Sequence, residues 1–192
     1  MEIIENVLLG DKEFARHFIT FKKEGDRYVN ERINENNIVA VINCTTAKVI
    51  GDGYQVENTF EHDHDFNVVY LNTNLHENSK ITDEIAQRIV KFIDENRKKG
   101  KILIHCSQGV SRSPCVYLVY LLNLGFAFYQ GLLHIQNNYD KLILPTKPML
   151  RSIAKLSFVK EEVDEKRLST FVDQQRFAFF KRFGWDIKVA KE

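Results

Sequence analysis

Residues 101–113 constrain the fold more than any other part of the chain. The stretch reads Lys-Ile-Leu-Ile-His-Cys-Ser-Gln-Gly-Val-Ser-Arg-Ser. The apolar, β-branched residues 102–104 are typical of a fully buried strand, and an apolar helical pattern begins at Arg112. Cys106 therefore stands in a short loop where a buried strand passes into a helix.

The loop between Cys106 and Arg112 has the features of an anion-binding site. Its five residues are small or uncharged, and Gly109 can take a positive φ, so their backbone N–H groups can turn inward as a nest. The helix that begins near Arg112 adds its positive N-terminal end, and the guanidinium offers two parallel donors to one tetrahedral anion. The predicted cradle consists of Ser107, Gln108, Gly109, Val110 and Ser111. Phosphate fits this description.

The same electrostatic field favours the thiolate form of Cys106, because an arginine and a helix N-terminus both stabilise a negative sulfur. A nucleophile, an oxyanion cradle and a fixed cation thus converge in one loop. This combination predicts phosphoryl transfer through a covalent intermediate. The alternative explanation of Cys106 is a buried cysteine with a purely structural role.

These residues resemble the signature of the cysteine-dependent protein tyrosine phosphatases, which is His-Cys, five residues, Arg and then Ser or Thr. The signature corresponds here to His105, Cys106, Arg112 and Ser113. The sequence Gly-Val-Ser-Arg-Ser looks most like the dual-specificity branch, in its small atypical form. The resemblance implies a central, mostly parallel sheet of about five strands flanked by helices, with the site in the strand-loop-helix unit.

The resemblance also implies a role for each residue of the signature. Cys106 would attack phosphorus, while Arg112 and the loop amides would hold the phosphate oxygens. Ser113 would stabilise the departing thiolate, and His105 would support the loop from behind. We expect no metal and no other cofactor, because the arginine and the nest take the role that an ion would play.

A phosphatase of this type also needs a carboxylic acid that protonates the leaving oxygen. Its relatives have an aspartate soon after a strand that residues 68–71 resemble, whereas Glu77 stands at this position here. Asp83 is the alternative, but Thr82 is a typical N-cap and Asp83 falls in the first helical turn, where negative charge suits the helix dipole. We therefore expect Glu77 to be the acid and Asp83 to be structural.

The remaining pattern predicts strands at 7–9, 38–42 and 68–71, and helices at 82–99, 112–124 and 149–159. Residues 126–139 resemble the next helix of the same family. Residues 11–37 are charged and predict one helix that breaks at Gly25 and a second, solvated helix after it. An edge strand is expected at Tyr54 and Val56. We interpret residues 1–159 as the catalytic domain.

Residues 160–192 form a C-terminal helical extension in this interpretation. Phenylalanines and Trp185 alternate there with arginine and lysine. Aromatic stripes are usually packed, so we expect a helix that lies against the domain. A segment for docking or dimerisation, and a basic aromatic helix on a membrane surface, are the alternatives.

Composition and charge exclude several classes of function. The formal net charge is +1 at pH 7, so nucleic acid is not an expected partner. No stretch approaches the roughly 20 apolar residues of a membrane helix, and no leader sequence is predicted. Residues 62–65 read His-Asp-His-Asp and are interpreted as a solvated loop, with a metal site as the alternative.

The three cysteines Cys44, Cys106 and Cys115 form neither a paired framework nor a zinc motif. They indicate a reducing compartment, the cytoplasm or also the nucleus. Cys44 is expected in the core, as is Cys115, for which oxidative pairing with Cys106 is the alternative.

The absence of charged side chains from the cradle indicates which class of phosphorylated substrate to expect. Relatives that act on inositol phospholipids usually add lysines within this loop, and those that act on RNA 5′ ends usually have a different loop. The resemblance therefore implies a phosphorylated protein substrate, with phosphotyrosine and phosphoserine or phosphothreonine all admitted. A phosphoprotein-binding pseudophosphatase with little turnover and a phosphoinositide phosphatase are the alternatives.

Overall fold

A computed structural model of the chain describes residues 2–18, 21–24, 27–30, 37–46 and 69–182. The strands are β1 (Glu2–Ile4), β2 (Val7–Gly10), β3 (Phe21–Glu24), β4 (Arg27–Asn30), β5 (Ile38–Asn43), β6 (Val69–Asn72) and β7 (Lys101–His105). The helices are α1 (Lys12–Phe18), α2 (Asp83–Asn96), α3 (Arg112–Asn123), α4 (Phe128–Asn138), α5 (Lys147–Ile153) and α6 (Glu165–Arg182).

A five-stranded sheet in the order β1-β2-β7-β5-β6 forms the centre of the molecule. Strands β2, β7, β5 and β6 run parallel, and β1 is antiparallel to β2. The predicted mostly parallel sheet of about five strands, flanked by helices, is confirmed. The strands predicted at 7–9, 38–42, 68–71 and 102–104 correspond to β2, β5, β6 and β7.

The strand β7 lies at the centre of this sheet and leads directly to Cys106. Its residues Ile102, Leu103 and Ile104 are fully buried, as expected of an apolar strand covered on both faces. His105 pairs in register with Gly10 of β2 and with Asn43 of β5. The carboxyl ends of three parallel strands therefore meet at one edge, beyond which open α/β sheets bind their ligands.

Helix α3 is the central helix, and its residues from Ser113 to Leu122 are all buried. It packs against α2, α4, α5, β2 and β7. Pro114 lies in its first turn, where the missing N–H interrupts no intrahelical hydrogen bond. The apolar surface all around α3 explains why the sequence predicts a buried helix there.

Helix α2 begins as the capping pattern predicts. The N-cap residue Thr82 accepts a hydrogen bond from Ile85 N at 3.4 Å. Asp83 Oδ1 accepts two hydrogen bonds from the N–H and the hydroxyl of Ser157, both at 2.8 Å. The hydrogen bond from the backbone of Ser157 lowers the pKa of Asp83. Asp83 thus ties α2 to the segment after α5, in agreement with a structural role.

The prediction of a helix that continues to Gly25 is wrong for residues 21–24, which form β3, and the prediction of a second helix after Gly25 is wrong for residues 27–30, which form β4. Strands β3 and β4 form an antiparallel pair, with Phe21 opposite Asn30 and Glu24 opposite Arg27. In the sequence, Gly25 and Asp26 separate the two strands, and a Gly-Asp pair is typical of two-residue hairpin connections. The many charges of residues 22–27 favoured the interpretation as a solvated helix and masked this turn signal.

Helix α6 packs against α5 through its first half. Leu168 and Val172 are 1% exposed and belong to the main hydrophobic core. Arg151 of α5 donates a hydrogen bond from Nε to Glu165 Oε1 at 2.6 Å. The second half is more open, since Phe177 is 58% exposed. Helix α6 therefore packs against the rest of the described chain through Leu168 and Val172.

Some predicted features fall outside the described residues. These are the edge strand at Tyr54 and Val56, the cluster at residues 62–65, and Trp185. Within the part of the chain that is described, no group of His, Cys, Asp and Glu side chains could hold a metal ion. In that same part, no helix combines the length and apolar character needed to span a membrane.

Candidate active site

The Cys106 loop, residues 106–111, connects β7 to α3 at the carboxyl edge of the sheet. Three of its carbonyl groups are held by donors from outside the loop. They are Ser107 O with Lys12 N at 3.3 Å, Gln108 O with Lys141 Nζ at 3.5 Å, and Val110 O with Leu144 N. In a trans peptide the N–H points opposite to the C=O, so the N–H groups of the same peptide units turn inward. This orientation of the N–H groups is the one that a nest requires.

The sulfur of Cys106 faces donors that belong to this loop and to the first turn of α3. Gly109 N donates to Cys106 Sγ at 3.2 Å, and Ser113 Oγ lies 3.2 Å from the same sulfur. Ser113 Oγ is also 3.3 Å from the carbonyl of Gly10. A hydroxyl has a single proton, so it can move between these two acceptors as the charge on sulfur changes. The arrangement suits a sulfur that becomes negative.

Gly109 is required by the shape of the loop. Its φ of +73° lies in the left-handed region that side chains disfavour. A Cβ at this position would lie 2.5 Å from Tyr139 Oη and 3.0 Å from the carbonyl oxygen of Gly10. The tight packing fixes the turn that directs the Gly109 N–H at Cys106.

The guanidinium of Arg112 connects the Cys106 loop to the segment after β6. Nη2 donates to Ser107 Oγ at 3.2 Å, and Nη1 donates to the carbonyl of Leu75 at 3.3 Å. Nε lies 2.8 Å from Glu77 Oε1 in an ion pair that lacks the alignment of a hydrogen bond. The Arg112 side chain is only 13% exposed. Arg112 is thus a fixed cation beside the loop, where the sequence predicts one.

The Glu77 loop, residues 73–80, brings a carboxylate to the same site. The Glu77 side chain is 51% exposed and faces Arg112. Its main-chain oxygen accepts a hydrogen bond from Thr146 Oγ1 at 2.7 Å, and Asn74 takes a φ of +51° within the loop. Glu77, rather than Asp83, is therefore the carboxylate that the structure brings next to Arg112.

His105 is buried at the end of β7, with 3% of its surface exposed. Burial lowers the pKa of its imidazole to about 4, so the ring is neutral at pH 7. Its main-chain oxygen accepts a hydrogen bond from Cys44 N at 2.8 Å, which continues the sheet to the loop. A neutral, packed imidazole behind the loop fits the supporting role expected for this residue.

The other two cysteines are packing residues of the core. Cys44 and Cys115 are at most 1% exposed and belong to the main hydrophobic cluster. Burial raises the pKa of both thiols above the ordinary value. Both side chains therefore remain uncharged thiols at neutral pH.

Sequence reasoning missed the side chains that support the loop from outside. Lys141 forms an ion pair with Asp11, and both lie beside Gln108 and Gly109. Asp11 directly follows β2, a neighbour of β7, so the strand order could have indicated its place. Nothing in the sequence around Lys141 pointed to the site, because the helices α3 and α4 separate it from Cys106.

Known proteins share both sequence and fold with this chain. The family described as "Dual specificity phosphatase, catalytic domain" matches residues 21–157. A probable dual specificity protein phosphatase of Dictyostelium discoideum is 35% identical over 77 residues, which are 40% of this chain and 36% of that protein. The chain therefore spans well under two thirds of the length of this curated relative.

Solved structures match over nearly the whole chain at low sequence identity. DUSP15 gives a TM-score of 0.58 and 16% identity, over 91% of this chain and 94% of that one. Human DUSP28 gives a TM-score of 0.55 and 13% identity, over 92% and 97% of the two chains. These likenesses concern the fold alone. The family match, in contrast, covers most of the sequence and includes the residues from Cys106 to Ser113, and the chain belongs to the dual specificity phosphatase family.

Proposed function

We propose that this chain is a protein phosphatase that hydrolyses phosphotyrosine and phosphoserine or phosphothreonine through a phosphocysteine intermediate. One observation carries the proposal. Cys106 Sγ lies 3.2 Å from both Gly109 N and Ser113 Oγ, inside a loop whose amides turn inward and whose last residue leads to Arg112. A buried structural cysteine would have no use for these two donors.

In the first step, the Cys106 thiolate attacks phosphorus in line with the leaving oxygen. An S–P bond forms and the ester P–O bond breaks. The loop amides and the Arg112 guanidinium hold the other phosphate oxygens and balance their charge in the transition state. The protonated carboxyl of Glu77 gives its proton to the leaving oxygen, which departs as an alcohol or phenol.

Binding of the substrate has to change the partner of Arg112. In the free site, Arg112 Nε lies 2.8 Å from Glu77 Oε1. A phosphate dianion carries more charge than the carboxylate and offers a fork of oxygens that matches the guanidinium. The phosphate therefore displaces Glu77 from Arg112. The half-exposed Glu77 carboxylate then takes up a proton from solvent and turns, as the neutral acid, to the leaving oxygen.

In the second step, water attacks the phosphocysteine. Glu77, now a carboxylate, takes a proton from this water, the S–P bond breaks, and inorganic phosphate leaves. The departing sulfur becomes a thiolate again, and the Ser113 hydroxyl turns its proton from Gly10 O towards Cys106 Sγ. The distances of 3.3 Å and 3.2 Å to these two acceptors support such a change of partner.

The chemistry of the loop supports a phosphomonoester on protein as the substrate. Ser107, Gln108, Val110 and Ser111 carry no charge, so the cradle balances a single phosphate with Arg112 and backbone amides. A phosphoinositide with several phosphates would favour additional cations within the loop. The proposed partners are therefore phosphorylated proteins.

Three free, buried cysteines support a reducing compartment for this enzyme. We therefore propose that the protein is located in the cytoplasm and can also enter the nucleus. Imaging of a tagged chain in cells tests this part separately from the chemistry, and accumulation in a secretory compartment would contradict it.

The chemistry is tested with matched peptides that carry phosphotyrosine or phosphoserine, and with an inositol phospholipid. The wild type should release phosphate from the peptides, and Cys106→Ser should not. Cys115→Ser is the matched control, because it makes the same change at a buried core position of α3 and should keep the activity of the folded protein.

Each other result points to a different function. Equal activity of the wild type and Cys106→Ser would contradict the assignment of Cys106 as the nucleophile. Binding of phosphopeptide without turnover by the wild type would favour the pseudophosphatase. Faster release from the inositol phospholipid than from either peptide would favour the lipid phosphatase.

A further inference from the structure

The peptide unit between Gln108 and Gly109 is held from two sides. Its N–H donates to Cys106 Sγ at 3.2 Å, and its carbonyl oxygen lies 3.5 Å from Lys141 Nζ. Because the N–H and C=O groups of a trans peptide point in opposite directions, one side faces the sulfur and the other faces the ammonium group. Lys141 thus contacts the far end of the same peptide that donates to Cys106.

Lys141 is itself held in place by Asp11. The two form an ion pair, and Asp11 Oδ1 accepts a further hydrogen bond from Phe14 N at 2.7 Å. Burial raises the pKa of Asp11, but the hydrogen bonds from Lys141 and Phe14 outweigh this effect and the pKa lies below its ordinary value. Asp11 therefore stays charged at neutral pH and fixes the ammonium group beside the loop.

The peptide before Gly109 needs an external support more than its neighbours do. Glycine adopts positive and negative φ about equally well, so this peptide can turn over more easily than the others. The carbonyls of Ser107 and Val110 are held by main-chain N–H groups, whereas that of Gln108 is held by the Lys141 side chain. A peptide turned the other way would present its carbonyl oxygen to the sulfur and to a bound anion, and would repel both.

We propose that Lys141, held by Asp11, is a positioning residue that keeps the Gln108–Gly109 peptide with its N–H directed at Cys106. The inference rests on the proposed function, because it concerns the same loop. It assigns to Lys141 a part in anion binding without contact to the substrate, and it explains why a lysine and an aspartate meet beside an otherwise uncharged cradle.

The test uses Lys141→Met, which keeps the aliphatic stem and removes the ammonium group, and Lys141→Arg as the conservative variant. Tungstate, an oxyanion of the same shape as phosphate, is the probe, and its binding is measured by calorimetry. Removing one contact from a charged group should weaken tungstate binding about tenfold. The value of kcat/KM for an aryl phosphate should fall by about the same factor, and Lys141→Arg should restore most of both losses.

Lys101 supplies a matched control. It pairs with Glu2 at 3.1 Å and is as exposed as Lys141, with 34% against 35% of the side chain accessible. It lies at the other end of β7 from Cys106, so Lys101→Met should leave tungstate binding and turnover unchanged. Asp11→Asn is the second variant, since it keeps the acceptor for Phe14 N and removes the charge that holds Lys141.

The outcomes separate this inference from the proposed function. Tungstate binding by Lys141→Met and Asp11→Asn equal to that of Lys101→Met would overturn the positioning role, even in an active enzyme. A wild type that binds tungstate but has no turnover, with weaker binding in Lys141→Met, would overturn the proposed function and support the positioning role. Absence of tungstate binding by the wild type would overturn both.

Discussion

The hydroxyl of Thr146 donates a hydrogen bond to the main-chain oxygen of Glu77 at 2.7 Å. Thr146 occupies the N-cap position of α5, yet its side chain makes no capping hydrogen bond to that helix. Its hydroxyl is committed to the Glu77 loop instead. The start of α5 therefore helps to hold the carboxylate that we propose as the general acid, about 70 residues away in the sequence.

Replacing Thr146 by Val should disturb proton transfer more than nucleophilic attack. The variant loses the anchor of Glu77, and small displacements of a catalytic group are costly, so kcat on a phosphoserine peptide should fall about tenfold. An aryl phosphate needs little help to expel its leaving group and should react nearly as before. The measurement is the ratio of the two kcat values. Thr146→Ser should behave as the wild type, and equal losses on both substrates would contradict the role.

Replacing Glu77 by Gln should have opposite effects on catalysis and on anion binding. Loss of the acid should lower kcat on a phosphoserine peptide by about 10² to 10⁴. Inorganic phosphate should bind a few times more tightly, because a carboxylate no longer competes for Arg112. Steady-state kinetics with phosphate as inhibitor gives both values. Glu84→Gln, on the exposed first turn of α2, is the control, and an unaltered kcat and pH profile in Glu77→Gln would transfer the acid role to another residue.

Replacing Gly109 by Ala should cost more stability than the same change at Gly125. Both glycines have positive φ, +73° and +95°, but only at Gly109 would the new Cβ meet close neighbours, Tyr139 Oη foremost. The free energy of unfolding of Gly125→Ala should be about 1 kcal/mol lower than that of the wild type, from backbone strain alone. In Gly109→Ala, overpacking should lower the free energy of unfolding by a further 1 to 3 kcal/mol, roughly. This variant should also lose most of the activity.

Urea unfolding of the two glycine variants measures this difference. A double variant that adds Tyr139→Phe to Gly109→Ala should recover part of the loss, because it removes the nearest atom. Identical free energies of unfolding for Gly109→Ala and Gly125→Ala would contradict this prediction, because they would show that the atoms around Gly109 can move to accommodate the new Cβ without loss of stability.

His105 should make the protein less stable in acid. Its pKa is about 4 in the folded chain, because of burial, against 6.5 as the ordinary value. Between these values the unfolded chain binds the extra proton and the folded chain does not. The stability due to a neutral His105 is therefore fully present above pH 6.5 and is lost as the pH falls towards 4. The loss between pH 7 and pH 4.5 should be about 2 to 3 kcal/mol.

His105→Asn removes this titration while keeping a polar side chain of similar size. The free energy of unfolding of the wild type and of the variant, measured in urea from pH 7 to pH 4.5, gives the difference. The two curves should converge or cross as the pH falls. Parallel curves would show that His105 is not the group responsible.

The local sequence was sufficient to predict the core of the site. Cys106, Gly109 and Arg112 lie in one loop between a buried strand and a buried helix, so their proximity follows from chain connectivity and their chemistry from residue type. The parallel strands were predictable as well, because runs such as 38–42 and 102–104 are apolar throughout. The antiparallel pairing of β3 with β4 was not predicted, because the charged residues of these strands resemble a solvated helix and outweighed the Gly-Asp signal between them.

The sequence alone therefore determined the nucleophile loop and the parallel sheet, since both depend on residues close together in the chain and on patterns of burial. Only the tertiary structure decided that Thr146, Asp11 and Lys141 surround this loop and that the Glu77 carboxylate pairs with Arg112. Their places depend on strand order and on the packing of helices far apart in sequence, which fix side chains within a few ångström of each other through the whole core rather than through a local pattern.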